Sequence, residues 1–532
     1  MRALLLTLEV GGGVRRYTTA PEPQAITTAD GTDTYQPGLD LGAVPCWTLT
    51  QTSATITDAG LDWPAVLLGY NGPPVWPASV AWTSGDGVAH VVQVGLATVD
   101  AAGRPAQTIS ISIDSSQAPG VQLVPDPSMA VQPDSYPVSL AGPTATIWAR
   151  HDPAVGSVPP LIYGMPGADG KGMYSGQGIP GPATPAYLVE LGQGALDQGY
   201  GTLEIAATAI VATQAKVFDV SAGYRRTGWM EMPVTVQYKL DALGRTRTVC
   251  VLDGVVVGAG LLATTDSEYW CAFYGAHGGG VLDPATGGTM RDASRVLPDL
   301  LARGGYPVDQ GRSMSLQGLL LDFSVNESVS AVDWINQHMG ALPVHVFRGG
   351  GGFFVELEPL ESGAAGLDVR LGSEAALADE LSWAEPSSIP ASVVLSYAPV
   401  KGATGRQVYL SATGAEPGAR VSVLCAMAAG RGLSAVADVS MPSVFDVATA
   451  ERMADLVALD RCPAGPYGTI TTGDEGIILA ALAHGPHLIL ALDETDSPEP
   501  VGLTGRRCYV QSMTISQAGL TMQVRLMREV VT

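Results

Sequence analysis

Few residues in this chain of 532 stand at spacings that could carry chemistry. His484 and His487 are three apart, which on a strand puts them on opposite faces, so a metal pair is disfavoured and two surface or turn histidines are expected. His338 falls inside a helical pattern beside Met339 and reads as a satisfied structural histidine. Gly170-Lys171 lies in a glycine-rich run but lacks the correctly spaced first glycine and the following Ser or Thr of a phosphate-binding loop. The six cysteines, Cys46, Cys250, Cys271, Cys425, Cys462 and Cys508, are far apart, with no CxxC and no close pair. That spacing argues against structural zinc, a thioredoxin-like motif and a disulfide framework, and for buried free thiols in a chain folded in a reducing cytoplasm.

The larger constellations of catalysis are missing as well. The chain has no HExxH, no GxSxG elbow, no Walker loop and no EF-hand pattern. Among 51 acidic residues some pair must be close in space, but no glycosidase dyad is signalled. Trp47, Trp63, Trp76, Trp82 and Trp148 could form a sugar-stacking platform, yet Trp is also what β cores and subunit interfaces are made of, and that second reading is preferred. The sequence therefore assigns no catalytic residue, no cofactor or cofactor-binding residue and no metal ligand, and the expectation is a protein that is not an enzyme.

Composition narrows the class further. Only 15% of residues are charged, against roughly 25% in an average globular protein, so the surface is unusually neutral and suits large permanent contacts with other subunits. A net charge of -23 opposes tight binding of nucleic acid, although an acidic wall would let a duplex slide past. Polar Thr7 and Glu9 interrupt the opening Ala3-Leu4-Leu5-Leu6 run before a signal-peptide core forms, and no stretch approaches the ~20 apolar residues of a membrane span.

The elements that would position these residues read as mainly β with a few short helices, an α+β chain of several domains. With 65 Gly and 38 Pro, turns are dense, and the runs between them are short and rich in Val, Thr, Leu and Ile. A length of 532 divided by a typical domain of about 150 residues gives three or four units. The expected division is an N-terminal β-rich, barrel-like domain over 1–118, a Pro/Gly-rich crossover or exposed loop over 119–186, a central β-rich domain over 187–310, an α+β domain with helix and hairpin over 311–440, and a helix with barrel-like strands over 441–532.

Within these units the patterns predict a hairpin of Leu4–Val10 and Val14–Thr18 around Gly11-Gly12-Gly13, and strands at Trp47–Thr57, Val88–Thr98 and Gln107–Ile113, the last alternating at Ile109, Ile111 and Ile113. Pro233–Tyr238 and Thr246–Val251 form a second hairpin through Asp241–Arg245, and Ser294–Arg303 is helical. A capping box of Ser324 with Glu327 opens a helix whose apolar side is Val329, Val332, Ile335 and Met339 and whose stop is Gly340. A hairpin follows, with Leu342, Val344 and Val346 alternating, a glycine turn from Arg348 to Gly352, and Phe353–Leu357 returning. Asp446 caps a helix to Asp460 with Val447, Ala450, Ala454 and Val457 as its stripe. Strands at Ile477–Ala483, Leu488–Leu492, Cys508–Ile515 and Leu520–Met527 end the chain.

From Arg312 onward this order of elements resembles the hub proteins of tailed-bacteriophage tails, the family of baseplate hubs and siphophage tail-tip hubs. The segment Asn326–Asn336 is similar to that family's helix before a hairpin, and the glycine-rich hairpin, the Asp446–Asp460 helix and the closing strands follow in the same order. The run Val158–Gly164, the turn Asp241–Arg245, and Arg16–Ala20 followed by Asp33–Leu39 also resemble siphophage tail proteins. Some such hubs carry a cysteine-ligated iron–sulfur centre, which the dispersed cysteines here argue against. The loop Ala483–His487 lacks the family's Gly-Asp pair.

The resemblance implies a structural virion protein at the tail tip, connecting the tail tube and distal tail ring to a central fibre. It implies a homotrimer with two barrel-like domains per chain. Its partners would be the distal tail protein, the C-terminus of the tape-measure protein and the central fibre or tip proteins. The composition adds that acidic residues should line the channel through which genomic DNA is ejected, without tight binding. The chain would not insert into a membrane, and it would assemble in the bacterial host cytoplasm. The rival reading is a secreted or surface β-sandwich protein that binds or cleaves carbohydrate.

Overall fold

The computed structural model describes residues 2–129 and 281–527 apart from short breaks, residues 161–164, and the backbone of strands between 179 and 274. The fold is β-rich and multi-domain, with short helices and several sheets, one of which nearly closes into a barrel.

Alternation builds the first sheet. Leu4–Val10 pairs antiparallel with Gly13–Thr18 around Gly11 and Gly12, both in the left-handed region that the tight turn requires. Ile109, Ile111 and Ile113 of Thr108–Asp114 are wholly buried, while Thr108, Ser110 and Asp114 are only partly covered and Ser112 is buried as well. Nine strands join in the order Gln24–Thr28, Gly31–Pro37, Gly13–Thr18, Leu4–Val10, Val75–Thr83, Ala89–Gly103, Thr108–Asp114, Gln51–Thr57 and Leu39–Leu41.

The C-terminal sheet runs Leu367–Arg370, Ile489–Asp493, Arg507–Ile515, Leu520–Leu526, Tyr467–Thr472 and Ala375–Leu377. To it the N-terminal region adds Val44–Cys46, antiparallel to the end of Arg507–Ile515. Side chains of both sheets, such as Leu4, Trp82 and Ile113 from one and Val510, Met522 and Val524 from the other, share a single hydrophobic core. A second core holds the helices Ala293–Arg303 and Ala331–Met339, and a four-stranded sheet in the order Ala419–Val421, Arg406–Ser411, Pro390–Tyr397 and Ala435–Met441. The helices Val423–Gly430 and Val447–Arg461 pack on that sheet. The hairpin Val344–Gly349 and Gly352–Leu357 contributes Val344, Val346, Phe353 and Val355 to the second core, but Phe347 and Phe354 to the first. It is the wedge between the two.

Several sequence expectations are met. Asp446 caps Val447–Arg461 through the Thr449 N–H at 2.7 Å, and Ala293–Arg303 is a helix capped by Asp292. Thr235–Leu240 and Thr246–Val256 form the second hairpin, with Leu240 opposite Thr246.

Others need correction. The helix of 331–339 is capped by Ser330, not Ser324, because Phe323–Val325 is a strand paired with Leu161–Tyr163. The 120–185 region is not simply an exposed loop: Val124 bridges Val329, Leu161 and Tyr163 are buried, and Ala183–Leu191 is a strand, while 130–160 and 165–178 lie outside the described residues. The expected strand Trp47–Thr57 begins only at Gln51, since Trp47 takes a φ of 70° that ends Val44–Cys46. Ile477–Ala483 is helical within Glu475–His484, its first turn capped by Asp474 on the Ile477 N–H at 3.0 Å. A continuous apolar run does not distinguish a buried strand from a helix by periodicity.

Candidate functional site

Where the hairpin wedge meets the C-terminal sheet, several buried ionisable groups come together. Glu358, just past the hairpin, accepts from His345 Nε2 at 3.0 Å, from the Tyr509 hydroxyl and from Gln511 Nε2 at 3.5 Å. Arg525 of the Leu520–Leu526 strand lies 3.8 Å from Glu358 and donates to Asp460 Oδ1 at 2.6 Å, to the Asp460 carbonyl and to the Tyr509 hydroxyl at 3.3 Å. Alternation along that strand places Arg525 on the outer side, but its guanidinium is buried because helix Val447–Arg461 ends above it and supplies Asp460.

Next to this network, Glu356 sits 3.4 Å from Arg312 Nε and 3.6 Å from His487 Nδ1. Arg312 donates to the His484 carbonyl and lies over the Phe354 ring at 4.5 Å. The His487 ring packs edge-on against Phe347 at 5.1 Å, and neither of its nitrogens has a hydrogen bond.

Burial and neighbours push these groups in different directions. Burial alone would raise the Glu358 carboxyl, but the hydrogen bonds from His345 and Tyr509 and the nearby imidazoles outweigh it, so its pKa lies below the usual value. Burial raises Glu356, with Arg312 opposing. His487 is pushed down to about 4, first by burial and then by His345, His484 and Arg312, against the pull of Glu358. At neutral pH it is an uncharged ring inside a charged cluster. Burial also raises the Tyr509 hydroxyl, with Glu358 adding to the effect.

Two carboxylates with pKa values pushed apart are the pattern of an acid and base pair. The geometry does not present them as one. Glu356, with Ser315, His484 and His487, lines a cavity of about 270 Å³, but Glu358 does not, and its oxygens are held by His345, Tyr509 and Gln511. What this arrangement can do is fix the hairpin, the end of helix Val447–Arg461 and the last strands in one relative position.

On the opposite side of the hairpin the same fastening recurs. The buried Arg348 donates through Nη1 to the carbonyls of Ser115, at 3.0 Å, and Gln117, and its N–H bonds the Trp47 carbonyl at 2.8 Å. Burial pushes its pKa down to about 10. Gly349 lies so close to Trp47 that a Cβ there would come within 2.4 Å of the indole.

The residues singled out from sequence fall as follows. His484 ends a helix and His487 occupies the next turn with a φ of 61°; the latter is buried, not a surface histidine. His338 stacks on Trp334 at 4.2 Å and bonds its carbonyl at 2.9 Å, a structural histidine. Trp63, Trp76 and Trp82 are buried in the first core, so they form no sugar platform, and Trp148 lies outside the described residues. Cys46, Cys425, Cys462 and Cys508 are buried and form no disulfide, but the fold brings Cys425 and Cys462 together, a pairing that linear spacing hid. Gly170-Lys171, Cys250 and Cys271 have no described side chains. Sequence reasoning missed Glu356, Glu358 and Arg525 altogether. The available signal was a pair of glutamates at alternate positions, 356 and 358, where the hairpin ends.

Among the described residues no group of three or more His, Cys, Asp or Glu is placed to hold a metal ion, and no helix is long and apolar enough to cross a membrane. No protein-family model and no curated protein matches the sequence. Among solved structures, the chain is similar to one from the virion of a native gene transfer agent particle, at 14% identity and a TM-score of 0.40, over 67% of this chain and 85% of that one. It is also similar to the 43 kDa tail protein of prophage MuSo2 from Shewanella oneidensis, at 8% identity and a TM-score of 0.36, over 99% of this chain and 98% of that one. Likeness of this degree assigns no function to the chain.

Proposed function

We propose that this chain is a structural protein of a bacteriophage virion: the hub at the tip or baseplate of the tail, which joins the tail tube to the central fibre. The observation that carries this reading is the fusion of an N-terminal and a C-terminal β-module into one core, fastened by Val44–Cys46 on the C-terminal sheet and by Arg348 and Arg525 on either side of the hairpin. A subunit whose function is geometry needs such rigidity between modules. Three copies would then present six β-modules to a sixfold tube, in keeping with the hub resemblance of the sequence.

In this reading the partners are the distal tail protein above, the tape-measure C-terminus within and the fibre or tip protein below. The net charge of -23 faces the lumen, where acidic walls repel ejected DNA weakly within a Debye length of about 8 Å. The carbohydrate reading has no comparable support, since Trp47, Trp63, Trp76 and Trp82 are core residues. Native mass measurement of the purified full chain tests the oligomer: three copies are expected, and a stable monomer at high concentration would count against the hub.

A further inference from the structure

Cys425 and Cys462 are brought together from opposite ends of two helices. Cys425 lies in the first turn of Val423–Gly430, where its N–H bonds the capping Ser422 hydroxyl at 3.4 Å and its thiol donates to the Leu410 carbonyl at 3.8 Å. Cys462 caps the C-terminus of Val447–Arg461 through an N–H bond to Ala458 at 2.9 Å. Both are fully buried in the same core, where the two helices touch and the Cys462 side chain neighbours that of Cys425.

The four described cysteines are not alike. The Cys462 thiol, followed by the Ser422 hydroxyl and the Cys425 N–H, favours the Cys425 thiolate against burial and brings its pKa to about 7. Burial instead raises Cys46 and Cys508 to about 12. The Cys425 helix is also lightly held: only Cys425 and Ala428 of it are buried, while Val423 and Met427 stand out at the surface, 73% and 43% exposed. A segment with so few buried contacts opens locally without unfolding the whole.

We propose that Cys425 and Cys462 are an oxidation site, with Cys425 as attacking thiolate and Cys462 as resolving thiol, which closes to an intramolecular disulfide on meeting a peroxide. The Cys425 sulfur attacks the O–O bond; an S–O bond forms, the O–O bond breaks and hydroxide leaves, taking a proton to become water. The Cys462 sulfur, giving up its proton, then attacks the sulfenic sulfur; the S–S bond forms, the S–O bond breaks and a second water leaves. Two thiols and one peroxide become one disulfide and two waters, the two electrons passing from sulfur to oxygen. The bond would fasten the loose helix to the end of Val447–Arg461.

The full chain treated with hydrogen peroxide, blocked with N-ethylmaleimide and digested with trypsin tests this. The expected product joins peptide 421–431 to peptide 462–506, each of which contains one cysteine. Its rate should fall about tenfold per pH unit below 7, following the thiolate fraction. In Cys462→Ser the linked product should vanish, Cys425 should be trapped by dimedone as the sulfenic acid, and the pH midpoint should rise. Oxidation of Cys425 no faster than that of Cys46, or linkage of Cys425 to any other cysteine, would overturn the proposal. Because the wild-type measurement needs no substitution, a variant that fails to fold leaves the test intact.

Discussion

Met513 stands opposite Cys46 across an antiparallel strand pair that joins the two ends of the chain. The partners are separated by most of the sequence, yet both are buried in the core shared by the first and last sheets. Folding therefore cannot finish at one end alone, and the consequences can be measured.

Truncation after Gly519 should give insoluble or unassembled protein. The strand Leu520–Leu526 is not an edge but an interior strand, bonded to Tyr467–Thr472 on one side and Arg507–Ile515 on the other. Leu520, Met522 and Val524 are buried, each contributing about 2–5 kcal/mol, which together rivals a domain's net stability of roughly 5–15 kcal/mol. Soluble expression and size-exclusion profiles of the truncated chain check this; a normally folded product would refute it.

Arg525→Met should lower stability by about 3 kcal/mol or more, because it strands the partly buried Asp460 and leaves the Glu358 and Tyr509 network without its cation. Urea unfolding at pH 7 reads the change. An unshifted midpoint would mean that the cluster does not hold the junction.

The buried neutral His487 makes stability fall as the solution is acidified. Its folded pKa of about 4 lies below the ordinary 6.5, so its full contribution is present above pH 6.5 and is lost as pH falls toward 4, to the extent of about 3 kcal/mol. Glu358, also depressed, adds to the loss as pH falls through its own folded value, while Glu356, raised by burial, works in the opposite sense. His487→Asn, which tolerates the left-handed backbone at this position, should flatten the profile between pH 6.5 and 4.5 relative to wild type. Parallel profiles for the two proteins would contradict the assignment.

Gly349→Ala should destabilise the hairpin wedge by about 1–3 kcal/mol, since the added methyl meets the Trp47 ring and overpacks a closed site. Thermal unfolding checks it. Gly350→Ala, whose Cβ would come no nearer than 3.9 Å to Val91, is the neutral control.

Sequence reading reached the local elements and stopped at the long-range ones. Val344, Val346 and the glycine turn announce their hairpin, and Asp446 announces its helix, because alternation and capping are properties of neighbours. Ile477–Leu482 misled because an unbroken apolar run has no period; Asp474 was the missed clue. Helix Val423–Gly430 passed unnoticed for want of an amphipathic stripe. The pairing of Val44 with Ile515, the burial of Arg525 under Asp460 and the meeting of Cys425 with Cys462 depend on how distant segments pack, which no window of sequence contains.

A hub occupies one place in the particle, and that place can be seen. Gold-labelled antibody raised against the purified chain should decorate intact phage particles at the distal tip of the tail and nowhere along the tube or capsid. Particles that stay unlabelled at the tip, or that carry the label elsewhere, would contradict the hub assignment.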